Sequence, residues 1–276
     1  MGDGPDARSS GAGVRHALFL PPVGELSDPR VVTDLAVAAE EQGWDGVFLW
    51  DHLLRPPSEP PGIADPWVTL AAVAARTSRV RIGPMVTPLP RRRPQQLAKE
   101  VATLDLLSSG RVTLGLGLGH DGYGEFSRFG DTADAVVRGD RLDEGAELLA
   151  DLLTGEQVDH RGTHHTATDV RLLPPPAQRP RPPMWFAARV QRGRPVRRAS
   201  RYDGIVPVDT DAAGLARTVE EVRRLRGSLD GFDVAASVAP GEDAGPYVDA
   251  GATWVLRAVR PDQGVAEVEA VIERDR

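Results

Sequence analysis

The chain has no cysteine, which excludes disulfides, thiolate nucleophiles and thiolate metal sites together. It has a single lysine, Lys99, so its basic side chains are almost all arginine. A Schiff-base enzyme of the barrel type needs a lysine at a strand end, whereas Lys99 falls inside the helical pattern PQQLAKEVATLDLL. No apolar run approaches the ~20 residues that cross a bilayer, and the opening MGDGPDARSSGAG lacks the apolar core of a secretion signal. A soluble, cytoplasmic protein with a frayed tail over residues 1–13 is therefore expected. The formal charge of -7 gives no reason to expect nucleic acid. The partners expected are a small-molecule substrate and, at most, a second copy of the chain, with no membrane.

What the chain does have is alternation. Short β-branched runs at 16–21, 46–51, 80–87, 112–119, 184–189, 204–209, 233–239 and 253–259 are separated by helical patterns. Val32, Leu35, Ala36 and Ala39 keep the helical period, as do Leu142, Ala146, Leu149 and Leu153, and then Leu215, Val219, Val222 and Leu225. Helix starts are legible at Asp28-Pro29 and Asp65-Pro66, and helix ends at Gly43, Gly110, Gly155 and Gly227. Eight such units over residues 14–276 predict a single (β/α)8 TIM barrel, an α/β fold, with active-site residues on the loops that follow the strands. An open doubly wound sheet is the second reading. Residues 120–183 interrupt the repeat as an insertion after strand 4. It contains a helix near 137–153, a polar DHRGTHHTATDV suited to a hairpin, and a proline-rich connector. Insertions of this kind commonly cover the active-site face of a barrel.

The stretch VTLGLGLGHDGYG contains G-x-G-x-x-G at Gly117, Gly119 and Gly122. A dinucleotide fingerprint needs those glycines in a turn that opens a helix, and here Gly115, Gly117 and Gly119 alternate inside the strand itself. Their missing side chains fall on one face of the strand, leaving room for a flat ligand or for a close inter-strand contact.

Several blocks together resemble the bacterial-luciferase-like flavin or deazaflavin oxidoreductases. They are GWDGVFLWDHLL (43–54), the long run from DPWVTL to GLGLG (65–119), RGDRLDEGAELLADLLTGEQV (138–158), PPMWFAARVQRGRPVRRASRYDGIVP (182–207) and AGATWVL (250–256). The resemblance implies a barrel with coenzyme F420, or alternatively FMN, across the strand ends. The activity implied is hydride transfer between F420 and a small organic substrate. The alternatives are an FMN-dependent monooxygenase and a non-catalytic flavin-binding barrel. Arg257 stands where many relatives with the ATW strand carry a glutamate, and AASVAP lacks an expected glycine.

His52 ends the second strand and is the candidate catalytic acid or base, an imidazole being suited to proton transfer near neutral pH. The resemblance implies the same role for the histidine of the Asp-His pair, with Asp51 beside the cofactor. Thr87 is a candidate hydrogen-bond partner for a flavin edge. Gly117, Gly119 and His120, with Asp121 and Tyr123 beyond, are candidate lining for the cofactor or substrate. Arg189, Arg192 and Arg194 ahead of Pro195 suit a phosphate, because guanidinium forks and helix amides both favour one. With Arg91, Arg92 and Arg93 they also suggest a cationic rim for the anionic tail of F420. No metal site is expected: His160 and His164 are four apart but separated by a turn-forming glycine.

Overall fold

Each β-branched run in turn contributes a strand to one ring of parallel pairs. The computed structural model describes residues 13–56 and 62–276, so the expected tail falls outside the described residues except for Gly13. The strands are β1 (Arg15–Leu20), β2 (Gly46–Leu49), β3 (Arg81–Pro84), β4 (Thr87–Pro88), β5 (Leu114–Gly117), β6 (Val158–Arg161), β7 (Thr166–Val170), β8 (Met184–Ala188), β9 (Gly204–Pro207), β10 (Asp233–Val238) and β11 (Trp254–Ala258). The helices are α1 (Pro29–Glu41), α2 (Pro66–Arg76), α3 (Pro94–Leu107), α4 (Ala135–Thr154), α5 (Arg194–Ala199), α6 (Ala212–Arg226), α7 (Gly245–Asp249) and α8 (Val265–Arg274).

The sheet order is β3-β2-β1-β11-β10-β9-β8-β5-β4, and its pairings are parallel. Two main-chain bonds, Ile82 N–H to Arg111 C=O at 3.0 Å and Thr113 N–H to Ile82 C=O at 2.9 Å, join its two ends. The expected strand 80–87 is divided into β3 and β4, with a cis peptide between Met85 and Val86. Its first part pairs with β2 and its second with β5.

Local chemistry sets the helix ends. Asp28, Asp65, Asp134 and Asp211 each accept a backbone N–H from the first turn of α1, α2, α4 and α6. Gly155 and Gly227 end α4 and α6 in the left-handed conformation, at φ 76° and 79°. Inside the ring, Ala17, Phe48, Met85, Trp185, Trp254 and Leu256 form a dry plug, with the Trp185 and Trp254 rings 5.5 Å apart. The Arg15 guanidinium lies 4.3 Å over Trp254 and pairs with Asp233, capping the end where the strands begin. The opposite end is the mouth.

Residues 158–170 form the hairpin, β6 with β7, and it is held along α4. The reason is Glu144 of α4, whose carboxylate accepts the backbone N–H groups of Thr163, His164 and His165 at 2.6–3.0 Å and faces His160 at 3.5 Å. The connector then returns past the start of β5, where Gln178 bonds Asp105 and the Val112 carbonyl.

Candidate functional site

Strand side chains alternate in direction, so a residue two places beyond each plug residue also points inward. Beyond Ala17, Phe48, Trp185, Val206, Ala235 and Leu256 these are Phe19, Trp50, Ala187, Val208, Ser237 and Ala258, and all six are half-buried. The strands therefore end in a shallow cup with a mainly apolar lining, open to solvent at the mouth. Phe19 and Trp50 meet within it at 5.9 Å between rings.

The alternating glycines belong to the wall of this cup, and packing accounts for them. A Cβ on Gly115 would stand 2.4 Å from the Pro84 carbonyl, and one on Gly117 2.5 Å from Val86 Cγ2. Gly119, at φ 74°, turns the chain against Phe126 and Pro88. Close packing thus accounts for Gly117 and Gly119 whether or not a cofactor lies over them: they let β5 approach the strand before it.

The loops after β2, β4 and β5 converge on a buried ionic network. Arg91 spans two carboxylates, Asp51 at 2.8 Å and Glu125 at 2.7 Å, and its side chain is only 7% exposed. Arg92 adds a second cation to Asp51 at 2.9 Å, and the Thr87 hydroxyl donates to the same carboxylate at 2.7 Å. The other Glu125 oxygen accepts the Leu53 and Leu54 N–H groups at 2.7 and 3.0 Å and faces His52 Nδ1 at 3.0 Å. Burial by itself pushes the Glu125 carboxyl up. The hydrogen bonds from His52 and the Leu54 N–H, with the His52 and Arg91 charges, outweigh it and hold the group below its ordinary range. Glu125 is thus ionised at neutral pH and can only accept. His52 Nδ1 must then carry the shared proton, so that it is Nε2 that can gain or lose one. That ring is 27% exposed and stands edge-on to Trp50 at 6.0 Å.

The remaining candidates are dispersed. Asp51 and Thr87 are buried and bonded to each other. His120 is exposed, its Nδ1 accepting the Gly122 N–H, and its ring meets Tyr123 at 6.0 Å. Arg55 links that loop to the histidine loop by lying over both Tyr123 and Trp50. Of the three arginines after β8, Arg189 pairs with Asp209, both 68% exposed, and Arg194 turns to Asp140 and Asp143 of α4. Arg192 is exposed and has no ion-pair partner among the described residues. The expected three-arginine phosphate cradle therefore shrinks to Arg192 and Arg189. The expected cationic rim shrinks as well, because Arg91 and Arg92 are spent on buried carboxylates. Arg257 faces outward and donates to the Ala239, Glu242 and Asp275 carbonyls, fastening the loop after β10 to the chain's end.

Sequence reasoning missed Glu125 and the inward turn of Arg91 and Arg92. The signal was available: an aspartate at a strand end beside an arginine pair, with a lone acid in the glycine-rich loop next to it, allows mutual burial of opposite charges.

The sequence profile of the luciferase-like monooxygenases matches residues 10–241. The F420-dependent glucose-6-phosphate dehydrogenase of Microbacterium testaceum is 38% identical over 159 residues, which cover 56% of this chain and 46% of that protein. The chain thus aligns with about half the length of the curated relatives it matches. Among solved structures, a monooxygenase of Streptomyces bottropensis superposes with a TM-score of 0.78 at 22% identity, over 94% of this chain and 96% of that one. The coenzyme F420-dependent tetrahydromethanopterin reductase of Methanopyrus kandleri also gives 0.78, at 18% identity, over 95% and 98%. At such identities the superpositions speak for the barrel alone, while the profile spans most of the chain: it belongs to the luciferase-like monooxygenase family.

Proposed function

We propose that this chain is an oxidoreductase that binds a deazaflavin of the F420 type in the cup and transfers hydride to or from a small alcohol or carbonyl compound, with His52 handling the proton. The observation that carries the reading is the His52–Glu125 pair. An ionised, fully buried carboxylate holds Nδ1 of an imidazole whose ring is 27% exposed beside Trp50.

The residues present suit such a cofactor. The cup has a mainly apolar, half-buried lining, and the Trp50 indole N–H is buried without a hydrogen-bond partner. Arg192 and Arg189, on the loop after β8, are the groups we assign to the cofactor phosphate. The F420-dependent curated relatives favour the deazaflavin over FMN. The arginine rim no longer contributes to that preference.

When bound, the deazaflavin supplies the two-electron hydride acceptor or donor. The chain supplies position and proton. Trp50 and Phe19 would line the cofactor's place with apolar surface, and Glu125 keeps His52 in the Nδ1–H form. Nε2 takes the hydroxyl proton as an alcohol is oxidised and returns it in the reverse direction. Asp51, through Arg91, fixes Glu125 and has no direct part in the reaction.

The test is His52→Ala, with cofactor affinity and single-turnover rate measured separately. Loss of a positioned general base costs about 10²- to 10⁴-fold in rate. Cofactor affinity should stay close to wild type. An unchanged rate would remove His52 from the mechanism.

A further inference from the structure

One buried cation stands outside the ionic network around His52. Arg138 of α4 is 6% exposed and forms no ion pair among the described residues. Its two terminal nitrogens donate to the Gly119 and Ala133 carbonyls at 3.1 and 3.3 Å, and the guanidinium lies 4.6 Å over the Phe126 ring. Its Nε is buried without a partner. Burying a guanidinium without a countercharge is costly, and carbonyl bonds and a ring face offset only part of that cost. An apolar side chain of similar volume would fill the same space without it. What the planar guanidinium adds is the ability to hold several points at once. Gly119, Phe126 and Ala133 lie seven residues apart, at the start, middle and end of the loop that joins β5 to α4.

That loop carries Glu125, and its own main-chain bonds close it on itself: Gly124 N–H to Asp121 C=O at 2.9 Å, and Phe129 and Asp131 N–H to Phe126 C=O at 3.0 Å. The Asp121 carboxylate tightens the turn by accepting the Ser127 and Phe126 N–H groups at 3.0 and 2.8 Å. Those two bonds hold its carboxyl below the ordinary range, with a smaller contribution from the Arg138 charge. Phe126 is fully buried and adjoins Glu125 in the chain. A Cβ on Gly119 would stand 2.8 Å from the Phe126 ring, so the start and the middle of the loop are in close contact under the guanidinium. We infer that Arg138 is a positioning residue: by anchoring this loop at three points it sets the Glu125 carboxylate against His52 Nδ1. Its catalytic meaning rests on the reading of His52 as the group that handles the proton. Arg91 bonds Glu125 itself, whereas Arg138 acts at one remove, through Phe126.

The experiment reads the His52 Nδ1–H proton by NMR in the full chain, with the histidine ring nitrogens labelled and the signal assigned by its absence from His52→Ala. No turnover is needed. In the wild type this proton is bonded to a fully buried carboxylate and should exchange slowly with solvent. Arg138→Met keeps the volume and removes the anchor, so exchange should quicken by about 10-fold or more, the factor that follows from losing the bonds to two carbonyls. Arg138→Lys keeps the charge but cannot serve both carbonyls and lie flat on the ring at once. It should fall between wild type and the methionine variant, and it replaces that variant if the latter does not fold. Arg111→Ala is the control, since it removes buried hydrogen bonds ahead of β5 and should leave the signal as in wild type. Exchange in Arg138→Met as slow as in wild type, or no faster than in Arg111→Ala, would overturn the inference. Unchanged turnover in His52→Ala would overturn the proton-handling reading instead, while the spectra still decide what Arg138 does.

Discussion

Replacing Arg91 by methionine removes the one cation that spans two buried carboxylates while keeping most of the side chain's length. Asp51 and Glu125 are 1% and 0% exposed, so neither can recover its lost partner from bulk water. Breaking a buried pair by deleting one member costs about 3 to 5 kcal/mol, because the remaining charge stays desolvated. Arg92 still serves Asp51, and His52 with two N–H groups still serves Glu125, which places the expected loss near the lower end, about 3 kcal/mol. Urea unfolding at pH 7 measures it. The loss should also depend on pH. In the wild type Glu125 has a depressed pKa, so its contribution is complete above the ordinary carboxylate value of ~4.3 and disappears as the pH falls through the depressed one. Removing Arg91 raises that pKa, so wild type and variant should converge in acid as Glu125 protonates. A loss below about 1 kcal/mol at pH 7, the scale of an exposed ion pair, would refute the claim that this network holds the site together.

Gly117→Ala places a Cβ 2.5 Å from Val86 Cγ2, and the overpacking should cost about 1 to 3 kcal/mol of thermal stability with or without cofactor; a cost that appears only in cofactor affinity would favour the ligand role. Arg111, 8% exposed, donates to the Ala74, Thr77, Val80 and Ser108 carbonyls. Arg111→Ala should therefore lower stability by about 2 to 4 kcal/mol, as several buried acceptors each lose about 1 kcal/mol or more, and an unchanged melting temperature would contradict this. Burial lowers the pKa of both His16 and His165, and the Arg257 charge adds to it at His16. Both are favoured neutral in the fold and take up protons on unfolding, so stability should hold above pH ~6.5 and decline as the pH falls below it. Thermal melts in that range with His16→Gln and His165→Gln variants isolate the histidine contribution, which should vanish in the double variant.

The barrel was legible because its signals are local and repeated. The β-branched runs, the Asp-Pro helix starts and the glycine helix ends each report on a few neighbouring residues. Where reading failed, the cause was a contact between parts distant in sequence. Glu125 and Asp51 are 74 positions apart, and only the closed ring brings both against Arg91. The arginines looked like a surface rim because sequence shows their charge and not their partners. Arg194 behaves in the same way, its countercharges lying on α4 some 50 residues earlier. The strand glycines had two readings with one sequence pattern, and the distance from Gly117 to Val86 makes close packing sufficient for it. The hairpin was expected from its polar, turn-rich composition, but its place beside α4 depends on Glu144, which nothing in the hairpin's own sequence announces.

The central claim is that the cup holds a deazaflavin, and identifying the cofactor tests it most directly. The protein is prepared from a host that makes both F420 and FMN, the bound molecule is identified by mass and absorbance, and each cofactor is then titrated into the emptied protein. The account predicts that F420 copurifies and binds more tightly than FMN, with modest salt dependence, since no more than two arginines, Arg192 and Arg189, are proposed for its phosphate. Tight binding of FMN with no measurable binding of F420 would contradict it.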